Sequence, residues 1–270
     1  MWPLTFLLVP AFAYLSILVL VWCFQSRILF PASAVRPADP LPPGAERLVL
    51  DTPDGERLQG VHIAAKTGTG AGPVILGFGG NAWNADETAV YLHDLYPRAE
   101  IVAFHYRGYP PSGGTAGADF LVADAPLVFD LVASRFAKRP VVAIGFSVGS
   151  GVAASLAGRR PVAGLILVTP FDSLMRVARD RYPWLPVRWL FRHEMDVAGR
   201  LRSSPVPTAL IAGETDSLVP PARTDKLRAS VGNLVFDRVI PGAGHNDIYR
   251  LDAFQQAMRE ALRRFESPPD

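Results

Sequence analysis

The run VVAIGFSVGSG, residues 141–151, admits few conformations. Its first half is a continuous apolar stretch suited to a strand covered on both faces. It passes without a spacer into small residues that can begin a helix. Gly145 and Gly149 bracket Ser147 in the Gly-x-Ser-x-Gly pattern of a sharp strand-to-helix turn. Such a turn needs glycine two positions to either side, because a side chain there would collide with the adjoining strand or helix. The serine hydroxyl then stands clear at the carboxyl end of the strand. A small polar residue capping a helix is the plain alternative, so the surrounding elements must decide.

Strand and helix patterns alternate on both sides of this run. VILGFGG precedes a predicted helix near 86–96, IVAFHY one near 123–138 and VVAIGFS one near 148–157, and LILVTP, TALIAG and VFDRVI follow. Continuous apolar strands separated by helices predict an α/β fold with a mostly parallel sheet flanked by helices. Ahead of them, ERLVLDT and RLQGVHIAA flank Pro53-Asp54-Gly55, where Asp-Gly supplies the positive φ angles of a tight antiparallel hairpin. The sheet thereby reaches eight strands. Leu251, Phe254, Met258, Leu262 and Phe265 recur at spacings of three and four, which predicts a C-terminal amphipathic helix with those residues in the core. Residues 172–205 break the alternation and are too long for an ordinary connection. Placed between strands six and seven, they predict a small lid over the carboxyl edge of the sheet.

Three residues at three strand ends suggest chemistry. Ser147 ends VVAIGFS, the fifth strand run with the hairpin included, Asp216 follows TALIAG, and His245 follows VFDRVI. Open α/β sheets place reacting groups at that edge. A serine hydroxyl attacks poorly at neutral pH unless a base takes its proton. His245, in a Gly-rich loop, is the best placed of five histidines; His62 and His93 fall within elements, His105 precedes Arg107-Gly108, and His193 lies in the lid. Asp216 would orient the imidazole, with Asp237, Asp247 and Asp172 as rivals. The charge developing on a substrate oxygen needs two backbone N–H donors, expected from Val148 and Asn81. Phe146, Trp184 and Trp189 are candidates for the pocket or lid. This chemistry calls for no metal and no organic cofactor.

The N-terminus carries a second constraint. Residues 2–24 contain no charge, and the first charged side chain is Arg27. That length spans the hydrocarbon layer of a bilayer. The expected organisation is a transmembrane anchor over 1–26, a Pro-rich linker over 27–45 and one catalytic domain over 46–270. A cleaved secretory signal is the alternative, since Ala32-Ser33-Ala34 has the form of a cleavage site. Arg27, Arg36 and Arg47 follow the span while only the α-amine precedes it, which favours a single-pass protein facing the cytoplasm. With 27 Lys+Arg against 25 Asp+Glu, the chain shows no bias toward nucleic acid. Its single cysteine, Cys23, excludes an intrachain disulfide. Seven arginines and Tyr182, Trp184, Trp189 and Phe191 interleave in the lid, as at a membrane interface or on a solvated basic face.

Taken together, GFGGNAWN, HYRGYPPSGG, GFSVGSG, TPFDSL, GETDSLVPP and GAGHND resemble the serial motifs of the α/β-hydrolase superfamily, in its membrane-anchored serine-aminopeptidase-like and monoglyceride-lipase-like branch. The resemblance implies the α/β-hydrolase fold, with the triad in the order Ser147, Asp216, His245. It also implies a serine hydrolase cleaving an ester, thioester or amide of a small-molecule or lipid acyl substrate. Two motifs depart from the family pattern. Gly79 stands where that family has histidine and Trp83 where it has glycine, which implies a narrowed acyl pocket at Trp83. His105 stands in place of an aspartate. An acyltransferase on the same scaffold and a catalytically silent, membrane-bound binding protein are the alternative readings. The sequence leaves the oligomeric state open.

Overall fold

A computed structural model of the chain describes residues 2–66, 72–136 and 139–266. The chain opens with helix α1 (Trp2–Leu29). Strands β1 (Glu46–Asp51), β2 (Arg57–Ile63), β3 (Val74–Phe78), β4 (Glu100–Phe104), β5 (Val141–Phe146), β6 (Gly164–Val168), β7 (Thr208–Gly213) and β8 (Leu234–Ile240) then build one sheet of eight strands. Its order is β1-β2-β4-β3-β5-β6-β7-β8. The hairpin β1–β2 turns at Gly55, at φ 88°, and β2 meets β4 antiparallel; all later neighbours run parallel. The expected α/β-hydrolase architecture is therefore present.

Every residue of β3, β5, β6 and β7 is buried. This follows from a sheet sandwiched between helices, with side chains alternating between its two faces. Ile75, Ile144 and Ile166 share one core with α2 (Ala85–Leu95), while Leu76, Ala143 and Leu165 share the other with α3 (Ala118–Arg135) and α4 (Val148–Ala157). Three short helices, α5 (Leu174–Arg181), α6 (Val187–Leu190) and α7 (Val197–Leu201), occupy the segment between β6 and β7. Helix α8 (Pro221–Arg228) joins β7 to β8, and α9 (Asp252–Glu266) closes the face shared with α2.

Three expectations shift. Helix α3 begins at Ala118, five residues before the expected 123, because buried Leu121 and Val122 hold its first turns to the sheet, and Pro126 lies in its interior. Leu251 is not core: it ends a 3₁₀ turn (Ile248–Arg250) just before α9 and is 37% exposed, while Ile248 fills the space below. The apolar set of α9 starts at Phe254. Finally, α1 runs to Leu29 instead of stopping at 26, and the chain beyond it is tied down. Phe30 is buried in the main core, and the Asn84 side chain donates to the Arg36 carbonyl at 2.9 Å.

An ion cluster, buried at Arg107 and Asp124 and exposed at Asp54, locks the hairpin to the helical layer. Arg107 donates Nε and Nη2 to the two oxygens of Asp124 on α3, at 2.9 and 2.7 Å, and also reaches Asp54 in the hairpin turn. The Arg107 guanidinium holds the Asp54 carboxyl down at about 2. Removing one partner of a buried pair leaves the other uncompensated. Arg107→Ala is therefore expected to destabilise the fold by about 3–5 kcal/mol, measured by denaturant unfolding in detergent; a loss below about 1 kcal/mol would mean that Asp124 finds other solvation.

Candidate active site

Strand β5 ends in the turn that its glycines predict. Ser147 adopts φ 51°, ψ −116°, and its N–H donates to the Val168 carbonyl of β6 at 2.9 Å. A left-handed non-glycine residue costs of the order of 1–3 kcal/mol and persists only where its surroundings impose it. Here they do. A Cβ added at Gly149 would lie 2.2 Å from the Phe78 carbonyl oxygen, and one at Gly145 would lie 2.3 Å from that of Gly149. Ser150 secures the turn from below, its N–H and hydroxyl both donating to the Ser147 carbonyl, at 2.9 and 2.6 Å.

The three sequence candidates meet. His245 Nε2 lies 2.9 Å from Ser147 Oγ, and its Nδ1 lies 2.7 Å from Asp216 Oδ2. Asp216 and His245 are buried, and Ser147 is half-buried. The other carboxylate oxygen of Asp216 accepts the N–H groups of Leu218 and Val219, at 2.9 and 2.8 Å. An acceptor-only carboxylate on Nδ1 places the imidazole proton there and leaves the Nε2 lone pair facing the serine hydroxyl. The rival acids have other partners. Asp247 accepts the Gly244 N–H and shapes the histidine loop, Asp237 pairs with Arg228, and Asp172 pairs with Arg176 and Arg223.

Val148 opens α4, where the first N–H groups lack intrahelical acceptors and the helix dipole favours negative charge. Asn81 follows Gly80, whose added Cβ would come within 3.8 Å of the Ser147 Cβ. Its side chain is held at both ends: Nδ2 donates to the Leu29 carbonyl at 2.5 Å and Oδ1 accepts the Tyr109 hydroxyl at 2.9 Å. Tyr106 adds a bond to the Gly79 carbonyl at 2.8 Å. Burial raises both phenols above their ordinary range, keeping them donors. Both tyrosines lie in the motif HYRGYPPSGG, but the sequence does not show that they support the Asn81 loop, because these bonds join residues 27 and 28 positions apart. Gly79 has a steric reason, since a Cβ there would meet Thr88 Oγ1 at 2.7 Å. His105 is buried against Asp86, 3.3 Å away, which also pairs with Arg47.

Of the four pocket candidates, two turn to the other side of the sheet. Trp83 stacks on Phe146, Tyr91 and Tyr249, with centroids 5.1, 5.7 and 4.9 Å away, and Phe146 is fully buried. Period-two alternation along β5 dictates this: Phe146 shares a face with Ile144, opposite Ala143. Burial pushes the Tyr249 phenol up to about 12. Trp189 is 80% exposed on the outside of the lid. Trp184 instead lines a cavity of about 170 Å³ between the lid and α1.

That contact joins the N-terminal helix to the lid. Gln25 donates to the Leu190 carbonyl and accepts from the Arg192 N–H, both at 3.0 Å. Arg192 donates to the Trp22 carbonyl at 2.9 Å and stacks over its ring at 4.5 Å. His193 Nδ1 accepts the Ala118 N–H at 3.5 Å, so its Nε2 carries the proton and donates to Ser26 Oγ at 2.8 Å. Burial holds His193 below its ordinary value, consistent with a neutral ring.

Known proteins carry the same organisation. A family model described as the alpha/beta hydrolase fold matches residues 74–206, which include Ser147 and stop before Asp216 and His245. The uncharacterized protein Rv2307c of Mycobacterium tuberculosis is 35% identical over 257 residues, covering 93% of this chain and 90% of that protein. The lysophosphatidylserine lipase ABHD12 of Xenopus tropicalis is 27% identical over 227 residues, covering 72% of this chain and 58% of that protein's length. The solved structure of a membrane phospholipase A superposes with a TM-score of 0.64 at 16% identity, covering 98% of each chain, an extent that takes in α1. The sheet order, the serine turn and these likenesses converge on one conclusion: the chain belongs to the α/β-hydrolase family.

Proposed function

We propose that this protein is a membrane-anchored serine hydrolase of carboxylic esters, working through an acyl-enzyme. The observation that carries the reading is the unbroken hydrogen-bond chain from the buried Asp216 carboxylate through His245 to the Ser147 hydroxyl. Ser147 Oγ attacks the acyl carbonyl as His245 Nε2 takes its proton, and Asp216 stabilises the imidazolium that forms. The N–H groups of Val148 and Asn81 receive the oxyanion. His245 then protonates the leaving alcohol, the C–O bond breaks, and a water deprotonated by the same imidazole releases the acid and restores the serine. No step requires a metal or an organic cofactor.

The esterase and lipase character is supported by what the similar proteins are named for, a lysophosphatidylserine lipase and a membrane phospholipase A. The serial motifs support the serine-aminopeptidase-like and monoglyceride-lipase-like branch. Membrane anchoring is supported by the stretch Leu8–Leu29, with a mean hydropathy of 2.0 and large apolar side chains such as Phe12 and Leu15 facing outward. The arginines that follow it favour the cytoplasmic side.

Ser147→Ala is expected to reduce turnover of p-nitrophenyl butyrate to background with an unchanged circular dichroism spectrum; a folded variant retaining more than a few per cent of the rate excludes Ser147 as nucleophile. Asp216→Asn leaves the geometry but favours the wrong tautomer, and a drop in kcat of about 10⁴ is expected. The elbow gives an independent check. Gly149→Ala forces the Phe78 strand end and α4 apart, and it is expected to lower Tm by the equivalent of at least 1–3 kcal/mol and to remove turnover with it. Wild-type stability in that variant would show that the turn has room to spare.

A further inference from the structure

The cavity between α1 and the lid takes no part in the steps above. We propose that it is the acyl-chain site, that the membrane helix is one of its walls, and that the substrate is a long-chain ester drawn sideways out of the bilayer. The proposal rests on Ser147 being the nucleophile.

Three observations converge. The first is the lining: Val21, Ile28 and Leu29 of α1 face Leu185, Leu190 and Phe191 of the lid. Gln25 also borders the space, but both ends of its amide are taken by the lid backbone, so only its methylenes remain to line it. At about 170 Å³ the cavity is comparable to apolar protein cavities of roughly 150 Å³ that take up benzene. It therefore holds about six carbons, and it is partly open, so that a longer chain continues outward.

The second is position. Leu29 lines the cavity and its carbonyl accepts the Asn81 side chain, while Gly80, the residue before Asn81, abuts Ser147. Leu29 and the Asn81 loop thus connect the cavity to the serine, and an acyl chain running from Ser147 past Asn81 enters it. The opposite side, behind Phe146 and Trp83, is filled with aromatic rings.

The third is depth. At 1.5 Å per residue, the 28 residues of α1 extend about 42 Å, against about 30 Å for the hydrocarbon layer. With Trp2 at the far surface, that layer ends near Trp22, about 30 Å along. Trp22 carries Arg192 on its ring, an aromatic and a cation at the level where both are favoured. The lid, however, reaches further in, because the Tyr14 hydroxyl donates to the Trp184 carbonyl at 2.9 Å. Tyr14 lies about 12 Å inside Trp22. The lid therefore dips into the acyl layer with Trp189, 80% exposed, on its outer surface and Trp184 at the cavity. The cavity, beginning at Val21, opens at acyl depth and reaches Leu29, whose carbonyl holds the Asn81 side chain.

The test uses the full chain in bilayer nanodiscs and a fluorophosphonate with a dodecyl chain carrying a diazirine near its end. After reaction and irradiation, the peptides are mapped by mass spectrometry. The expected result is phosphonylation of Ser147 with cross-links into residues 14–29 and 178–191. Phosphonylation of Ser147 with cross-links to the α2 and α9 side, or with none to the protein, overturns the cavity assignment and leaves the serine mechanism standing. Folded protein that is not phosphonylated at Ser147 overturns both. As a second measurement, Ala178→Phe fills the cavity from α5, and the ratio of kcat/KM for p-nitrophenyl dodecanoate to that for the acetate is expected to fall at least tenfold. An unchanged ratio also overturns the assignment.

Discussion

The approach of Gly149 to the carbonyl of Phe78 is the constraint on which the site depends. Strands β3 and β5 are neighbours, and α4 starts immediately above their carboxyl ends. With 2.2 Å from a hypothetical Cβ to that oxygen, no other residue lets the helix start so close to the sheet. The tight turn forces Ser147 into its left-handed conformation and lifts its hydroxyl toward His245. Strain at one residue is thus held by the packing of the whole central sheet, whose buried strands leave no slack for the turn to relax.

A second constraint links the site to the N-terminal helix. Helix α1 is bound to the lid by hydrogen bonds at Tyr14, Trp22, Gln25 and Ser26, and its last residue supports the Asn81 loop. On this reading the anchor is part of the enzyme's binding surface as well as its tether. Cutting it away exposes the apolar faces of α6 and the lid and removes the acceptor that fixes Asn81.

Much of the fold was legible because its signals are local. Continuous apolar runs identify strands buried on both faces, and two glycines two residues from a serine specify a turn. Asp216 and His245 stand out as candidates by their place after such runs. What the sequence hid depends on the third dimension. Phe146 looks like a pocket residue next to Ser147, yet strand alternation sends it under the sheet. Leu251 fits a helical period but lies one residue ahead of the helix. The bonds from Tyr109 to Asn81 and from His193 to Ser26 join residues 28 and 167 positions apart, and no periodicity marks such pairs. Helix α1 reads as a detached anchor because hydropathy reports only that its residues are apolar; what they touch is invisible to it.

The central claim is a covalent acyl-enzyme, and the most direct measurement is product partitioning. Esters sharing one acyl group but differing in leaving alcohol would be turned over in the presence of hydroxylamine. A common acyl-enzyme predicts the same ratio of hydroxamate to free acid for every ester, since the leaving group has departed before the nucleophiles compete. A ratio that changes with the leaving group would mean that water attacks the bound ester directly, and would contradict the account.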